Sequence, residues 1–227
     1  RATSTAERAR VQMLGAAVVA FSQGVAYYHA GIDTLRSKSL DRNSFNSGDW
    51  FNRLDWAGHD NGFSSGLPPR EGNAELWPIV RSLLADASIK PGPAEIAYAR
   101  SALLDVLRIR SSSTLWRLRS AQQVRERLVF HNTGPDQVAT VLAWELRGQG
   151  MAGARYGRVV AFISADPARR ELVVPALAGL SLQLHPVHRD PGAADERVAK
   201  QAHYEPSSGR FALPPRSVVV FVEDGSD

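Results

Sequence analysis

Apolar residues recur at Val11, Leu14, Val18 and Phe21, the spacing of one helical face. Ser4 and Glu7 form a capping box before that run, a hydroxyl at the cap with a carboxylate three residues later. Gly24 is a stop signal. The pattern predicts a helix over 6–23. The next stretch, 25–30 (VAYYHA), is mostly apolar and does not alternate, which predicts a strand buried on both faces of a parallel sheet. Helix, glycine and buried strand make one αβ step of an α/β fold. No other segment before residue 125 resembles this strand, so its partners are expected outside the chain.

Residues 31–73 show no periodicity and are rich in Asp, Asn, Ser, Gly, Arg and Trp. A loop of that length in a compact domain is uncommon and usually functional or disordered. Trp50, Phe51 and Trp56 argue for order, because aromatics are depleted in disordered segments. A structured, ligand-facing loop is expected. Leu76-Trp77-Pro78 opens a helix to about Ala85, with proline in the first turn, where its missing N–H is harmless. After the Pro91-Gly92-Pro93 break, Ile96, Leu103, Leu104 and Leu107 share a face of a second helix, about 94–108.

Beyond about residue 113 the pattern changes. Strands are predicted at 115–118, 128–130, 138–146, 158–164, 171–174, 180–185, 201–204, 211–213 and 217–222, with turn residues between them. Short strands at this spacing suggest an antiparallel sandwich. Ser208-Gly209 is a tight hairpin signal.

Composition narrows the function classes. Of 227 residues, 44% are hydrophobic and 22% charged, close to the globular average. No apolar run approaches the roughly 20 residues of a membrane span, so no membrane partner is expected. Cysteine is absent, which excludes disulfides, thiolate metal sites and a cysteine nucleophile. The net charge of +4 comes from scattered arginines interleaved with acids rather than from a basic stripe, so no nucleic-acid partner is expected. The chain begins at Arg1, without Met or a signal-peptide pattern, as an expressed piece or a cleaved product would. The compartment is left open.

The segment 27–56, just past the expected strand, carries most of the chemistry. It holds Asp33, Arg36, Lys38, Asp41, Arg42, Asn43, Asp49, Asn52, Arg53 and Asp55, with aromatics between them. In parallel α/β folds, ligands bind at the carboxyl ends of strands. Sugars suit such a mixture: hydroxyls pair with charged donors and acceptors, and C–H faces stack on aromatic rings.

At these residues a family resemblance emerges. His29-Ala30-Gly31, then LRSKS (35–39), DRNS (41–44) and SGDWFN (47–52), resemble the end of the catalytic barrel of pullulanase-type debranching enzymes of the α-amylase family. The likeness continues through GLPP (66–69), WPIVRSLLAD (77–86), LHPVH (184–188) and the run 207–223. It implies a mixed fold: the last helices and strand of a (β/α)8 TIM barrel over 1–125, including the long substrate loop, followed by a β-sandwich domain over 126–227. It implies an enzyme that hydrolyses α-1,6 branch linkages with retention. None of the carboxylates present matches the family's catalytic positions, so no catalytic residue is assigned. The three missing carboxylates are expected upstream of Arg1. Ile32 departs from the family pattern, which has a polar residue there.

What the resemblance does imply here is sugar binding. Asp49 and Arg53 resemble the pair that holds a glucose unit on the non-reducing side of the cleaved bond. Trp50 is expected as a stacking wall, and Asp41, Arg42 and Asn43 as supports. The implied partners are an α-glucan (pullulan or limit dextrins) and the upstream part of the same barrel. No cofactor is assigned; calcium is possible in the parent enzyme, with no ligands identified here.

Plainer readings stand beside these. An Asp and an Arg four apart can be only a surface ion pair. His29 reads as a satisfied core histidine, Trp56 and Trp77 as core rather than carbohydrate platforms, and Trp116 and Trp144 as packing. His185 and His188 lack a third metal ligand. The serines show no nucleophile elbow. As a whole the chain could instead be an autonomous glucan-binding module or a structural accessory domain. The helix over 6–23 and the strand after it are expected to expose apolar faces on their own, and such patches associate.

Overall fold

The computed structural model describes residues 3–225. The helices, in chain order, are α1 (Thr5–Phe21), α2 (Asp49–Asn52), α3 (Trp77–Ala85), α4 (Pro93–Ser111), α5 (Ala121–Arg127), α6 (Pro186–Arg189) and α7 (Glu196–Gln201). The strands are β1 (Leu128–His131), β2 (Val141–Arg147), β3 (Tyr156–Ser164), β4 (Arg170–Val173), β5 (Gln183–Leu184), β6 (His203–Glu205), β7 (Arg210–Leu213) and β8 (Ser217–Asp224). Among the described residues two compact units emerge: 3–12 with Tyr28–Arg100, and Met13–Tyr27 with 101–225.

The second unit contains the sheets. β1-β2-β3-β8-β5 form a five-stranded sheet and β4-β7-β6 a three-stranded one, with every pairing antiparallel. Alternation along the strands supplies one apolar cluster, in which Val141, Val160, Phe162, Val219 and Phe221 of the larger sheet meet Leu172, Tyr204, Phe211 and Leu213 of the smaller. Phe211 lies at its centre, 4.6 Å from the Phe162 ring, 4.7 Å from Tyr204 and 5.4 Å from Phe221. The Tyr204 hydroxyl satisfies itself by donating to the Leu177 carbonyl at 2.5 Å. The hairpin signal holds: Gly209 joins β6 to β7 at φ 67°, where a Cβ would collide with the Val174 carbonyl.

Phe21 of α1 stacks on the fully buried Trp116 at 4.5 Å. Arg110 of α4 donates to the carbonyl of Ala20 in the last turn of α1 and to those of Ser22 and Gly24 just beyond it, placing a cationic partner at the C-terminal end of that helix. Gln23 bridges Leu115 and Leu118 through backbone hydrogen bonds at 2.9 Å each.

Several sequence expectations change. α1 forms with its predicted cap, Ser4 Oγ accepting from the Glu7 N–H at 3.2 Å. Of the expected face, Leu14 and Phe21 are buried, together with Met13, Ala16, Ala17 and Ala20, while Val11 and Val18 are exposed. Alanines allow closer helix approach than the valines would. The buried strand expected at 25–30 is absent: the segment has no strand geometry, and Val25 and Tyr27 are 80% and 84% exposed. Among the described residues no strand lies beside it, and a strand without a ladder leaves its backbone groups to water. The strand expected at 115–118 is a 3-10 turn, Thr114–Arg117, opened by Ser113 Oγ accepting from the Leu115 N–H. A short apolar run does not distinguish the two by pattern alone. α5 and α7 went unpredicted, and the strand expected at 180–185 shrinks to Gln183–Leu184 because His185 caps α6. No helix among the described residues is long and apolar enough to cross a membrane.

Candidate functional site

The aperiodic stretch in the first unit is ordered, and polar side chains order it. Asp41 is its main knot. Its carboxylate accepts from Ser47 Oγ at 2.5 Å, Asn73 Nδ2 at 3.0 Å and the Asn43 N–H at 3.2 Å. Burial pushes its pKa up, but these hydrogen bonds, with Lys38 nearby, outweigh burial and hold the carboxyl below the usual range. Asn73, buried, also accepts from the Arg42 N–H at 3.1 Å and donates to the Pro69 and Glu71 carbonyls. A second knot joins Ser44 and Asn52: the Ser44 hydroxyl donates to Asn52 Oδ1, Asn52 Nδ2 returns to the Ser44 carbonyl at 2.6 Å, and Lys38 Nζ donates to Ser44 Oγ at 2.7 Å. A third runs through Asn61, also buried, which donates to the Leu35 carbonyl, accepts from the Phe63 N–H and offers its carbonyl to the Ser37 N–H. Gly62 beside it has φ 81°, and a Cβ there would sit 2.8 Å from the Ser37 carbonyl oxygen.

These knots anchor a surface. Asp49, Trp50 and Arg53 come together on and just after the single turn of α2, four residues that Asn52 holds through the Gly48 carbonyl. All three are exposed, Trp50 by 58%. The Trp50 indole N–H donates to the Ser65 carbonyl at 2.5 Å, fixing the ring, and the Arg53 guanidinium lies 5.1 Å from the ring centre. No side-chain ion pair joins Asp49 to Arg53, so the surface-pair reading has no support in the geometry. Arg42 and Asn43 support the loop through their backbone N–H groups, and both residues are exposed. A pocket of 370 Å³ in this unit is lined by Arg8, His29, Ile32, Leu35, Arg36 and their neighbours, and by none of the six candidate sugar-binding residues.

Other sequence readings resolve here. His29 is exposed rather than core, its Nδ1 3.2 Å from Arg36 Nη2. Trp56 is 76% exposed, against the core reading, because Asp55 holds the turn that carries it. Trp77 is half-buried and donates to the Pro68 carbonyl at 3.0 Å. Trp116 and Trp144 are buried, as packing requires. His185 and His188 are buried and structural. His185 Nδ1 accepts from the Val187 N–H, and its Nε2 lies 3.0 Å from Ser112 Oγ; His188 Nε2 accepts from the Val220 N–H. Burial, reinforced by nearby cationic and histidine groups, lowers His185 to about 4 and His188 to about 3, so both are neutral. No group of three metal-ligating side chains occurs among the described residues.

The family model of α-1,6-glucosidases, pullulanase-type, C-terminal, matches residues 58–224. The chain belongs to that family. It is 42% identical, over 97% of its length, to the chloroplastic pullulanase 1 of Arabidopsis thaliana, and 32% identical over 94% to a pullulanase of Klebsiella aerogenes. It superposes on PulA of Klebsiella oxytoca with a TM-score of 0.88 at 31% identity, covering 99% of this chain and 21% of that one. The maltotriose complex of PulA from Klebsiella pneumoniae matches with a TM-score of 0.85 at 32% identity, covering 97% of this chain and 23% of that one. The chain spans 23% and 19% of the two curated relatives' lengths. The antiparallel sheets and helices described above are thus those of a pullulanase-type C-terminal portion.

Proposed function

We propose that this chain is the C-terminal part of an enzyme that cleaves α-1,6-glucosidic branch linkages in α-glucans by a retaining mechanism, and that its own share is positioning. In such a mechanism one carboxylate attacks C1 while another protonates the leaving oxygen. Those carboxylates belong to the rest of the catalytic barrel, of which residues 1–125 form the last part. The β-domain from 126 onward contributes stability to that barrel.

The observation that carries this reading is the cluster of Asp49, Trp50 and Arg53, displayed together on one anchored turn. An ionised Asp accepts from two sugar hydroxyls, the Arg fork donates to the same ring, and Trp50 offers a face to its C–H bonds. Holding one glucose unit there aligns the scissile bond with groups supplied elsewhere, which is orientation work. Support for a barrel partner comes from apolar side chains left open: Val11, Ile79 and Leu83 in the first unit, and Val25, Phe130 and Leu142 in the second.

The test is Asp49→Ala in the full-length protein, assayed on pullulan. Losing a charged hydrogen-bonding group is expected to lower kcat/KM about tenfold or more, on the order of 1.5–3 kcal/mol. Unchanged kinetics discard the assignment of this loop.

A further inference from the structure

We infer that Trp56 is a second stacking platform, for the glucose unit next to the one held by Asp49, Trp50 and Arg53; this rests on the reading of that cluster as sugar-binding. Trp56 is 76% exposed, yet its turn is fixed by hydrogen bonds on either side of the ring. The Asp55 carboxylate accepts from three backbone N–H groups, those of Ala57 at 2.9 Å and of His59 and Asp60 at 2.8 Å. The Gly58 N–H returns to the Asp55 carbonyl at 3.2 Å, and Arg100 Nη2 reaches the Trp56 carbonyl at 3.4 Å. A large apolar ring held in water on a rigid turn forgoes the burial that would stabilise it, and gains only when something stacks on it.

The surroundings indicate what stacks. The exposed apolar residues of α3 and its approach, Leu76, Ile79 and Leu83, recur along a helix and suit a protein face. Trp56 instead sits among polar groups: His59 is exposed, Asp60 accepts from Lys90 at 3.1 Å, and Arg100 lies against the turn. One ring among hydrogen-bonding groups suits a sugar, which presents a C–H face and a rim of hydroxyls together. Arg53, whose guanidinium lies over the Trp50 ring, precedes Trp56 by three residues, so one short stretch of chain carries both rings. An α-glucan following Arg53 from Trp50 therefore meets the turn that carries Trp56.

The test compares Trp56→Ala and Trp56→Phe with the unchanged full-length protein, measuring affinity for maltotriose and for maltohexaose, with Tm as a control. Trp56→Ala is expected to weaken maltohexaose about five- to tenfold, a stacking contact of roughly 1 kcal/mol, and to leave maltotriose and Tm unchanged. Trp56→Phe keeps a platform and is expected to retain most of the affinity. Two outcomes overturn the inference. One is affinity unchanged for both sugars. The other is equal weakening of both together with a falling Tm, which marks Trp56 as buried against the rest of the polypeptide. Asp49→Ala measured alongside separates the two claims. If it weakens maltotriose while Trp56→Ala changes nothing, only this inference falls. If it weakens neither sugar, the reading of the Asp49 cluster falls, whatever Trp56 does.

Discussion

The two units hold themselves together by different means. From 101 onward, antiparallel ladders close over one apolar cluster, with rings such as Phe162, Phe211 and Phe221 in mutual contact. From 28 to 100 the described residues form helices and turns with no strand, and the order comes from short side chains, Asp41, Ser44, Asn52, Asn61 and Asn73, that take the place of backbone partners. The difference has a functional sense. Apolar packing rigidifies what it hides. Polar cross-links rigidify a surface while leaving it open to water, which is what a site for a hydroxyl-rich ligand needs.

The largest test of this contrast is Phe211→Ala. A fully buried ring at the centre of the sandwich is expected to cost about 3–5 kcal/mol, read from the denaturant midpoint. A loss below about 1 kcal/mol would show that the cluster does not hold the sandwich.

Acid comes next, and it separates the two regions. An unfolded histidine titrates near 6.5, whereas folded His185 resists protonation until about 4. Between those values the unfolded chain binds more protons, so stability falls as pH drops from 6.5 toward 4, by about 3 kcal/mol for His185 alone. His188 acts in the same direction, because protonating its Nε2 would turn an acceptor toward the Val220 N–H into a donor. Asp41 behaves oppositely. Its lowered carboxyl contributes stability that is present above the ordinary value near 3.8 and is lost only as pH falls through the lower folded value. Hydrogen exchange at pH 4.5 should therefore quicken in the sandwich before it does in the loop around Asp41. The reverse order would break the comparison.

The smallest expected effect is Asp41→Ala. Removing an acceptor of three hydrogen bonds should cost about 1–3 kcal/mol, felt as faster proteolysis and exchange between 41 and 73. Exchange in β3 and β8 should not change. A global loss of protection would mean that the loop is not a separate layer of stability.

The sandwich was legible in advance because alternation and turn residues are local signals: β2, β3, β7 and β8 all appear where the pattern places them, within a few residues. The capping box of α1 was legible for the same reason. The run at 115–118 was not, since Ser113 capping is a competition between two local conformations that apolar content cannot decide. The six candidate sugar-binding residues came from resemblance to a family, not from any period. The spacing of Asp41 and Asn73, 32 positions apart, gives no hint that they bond. Trp56 was misread as core because hydrophobicity says what a side chain would gain from burial, not whether its backbone is free to turn inward.

By itself the chain's pattern determined the capped helix α1, the main antiparallel strands β2, β3, β7 and β8 of the C-terminal half, and that the segment 27–56 mixes charge and aromatics as a sugar site does. Only the tertiary structure decided which face of α1 is buried, that residues 25–30 form no strand, and that Glu145, inside an apolar strand, is fully buried with Arg147 and Arg158 to meet its charge. The physical reason is the range of the forces involved. Capping and alternation act between neighbours in the chain, whereas burial and charge pairing depend on partners that the fold brings from far along it.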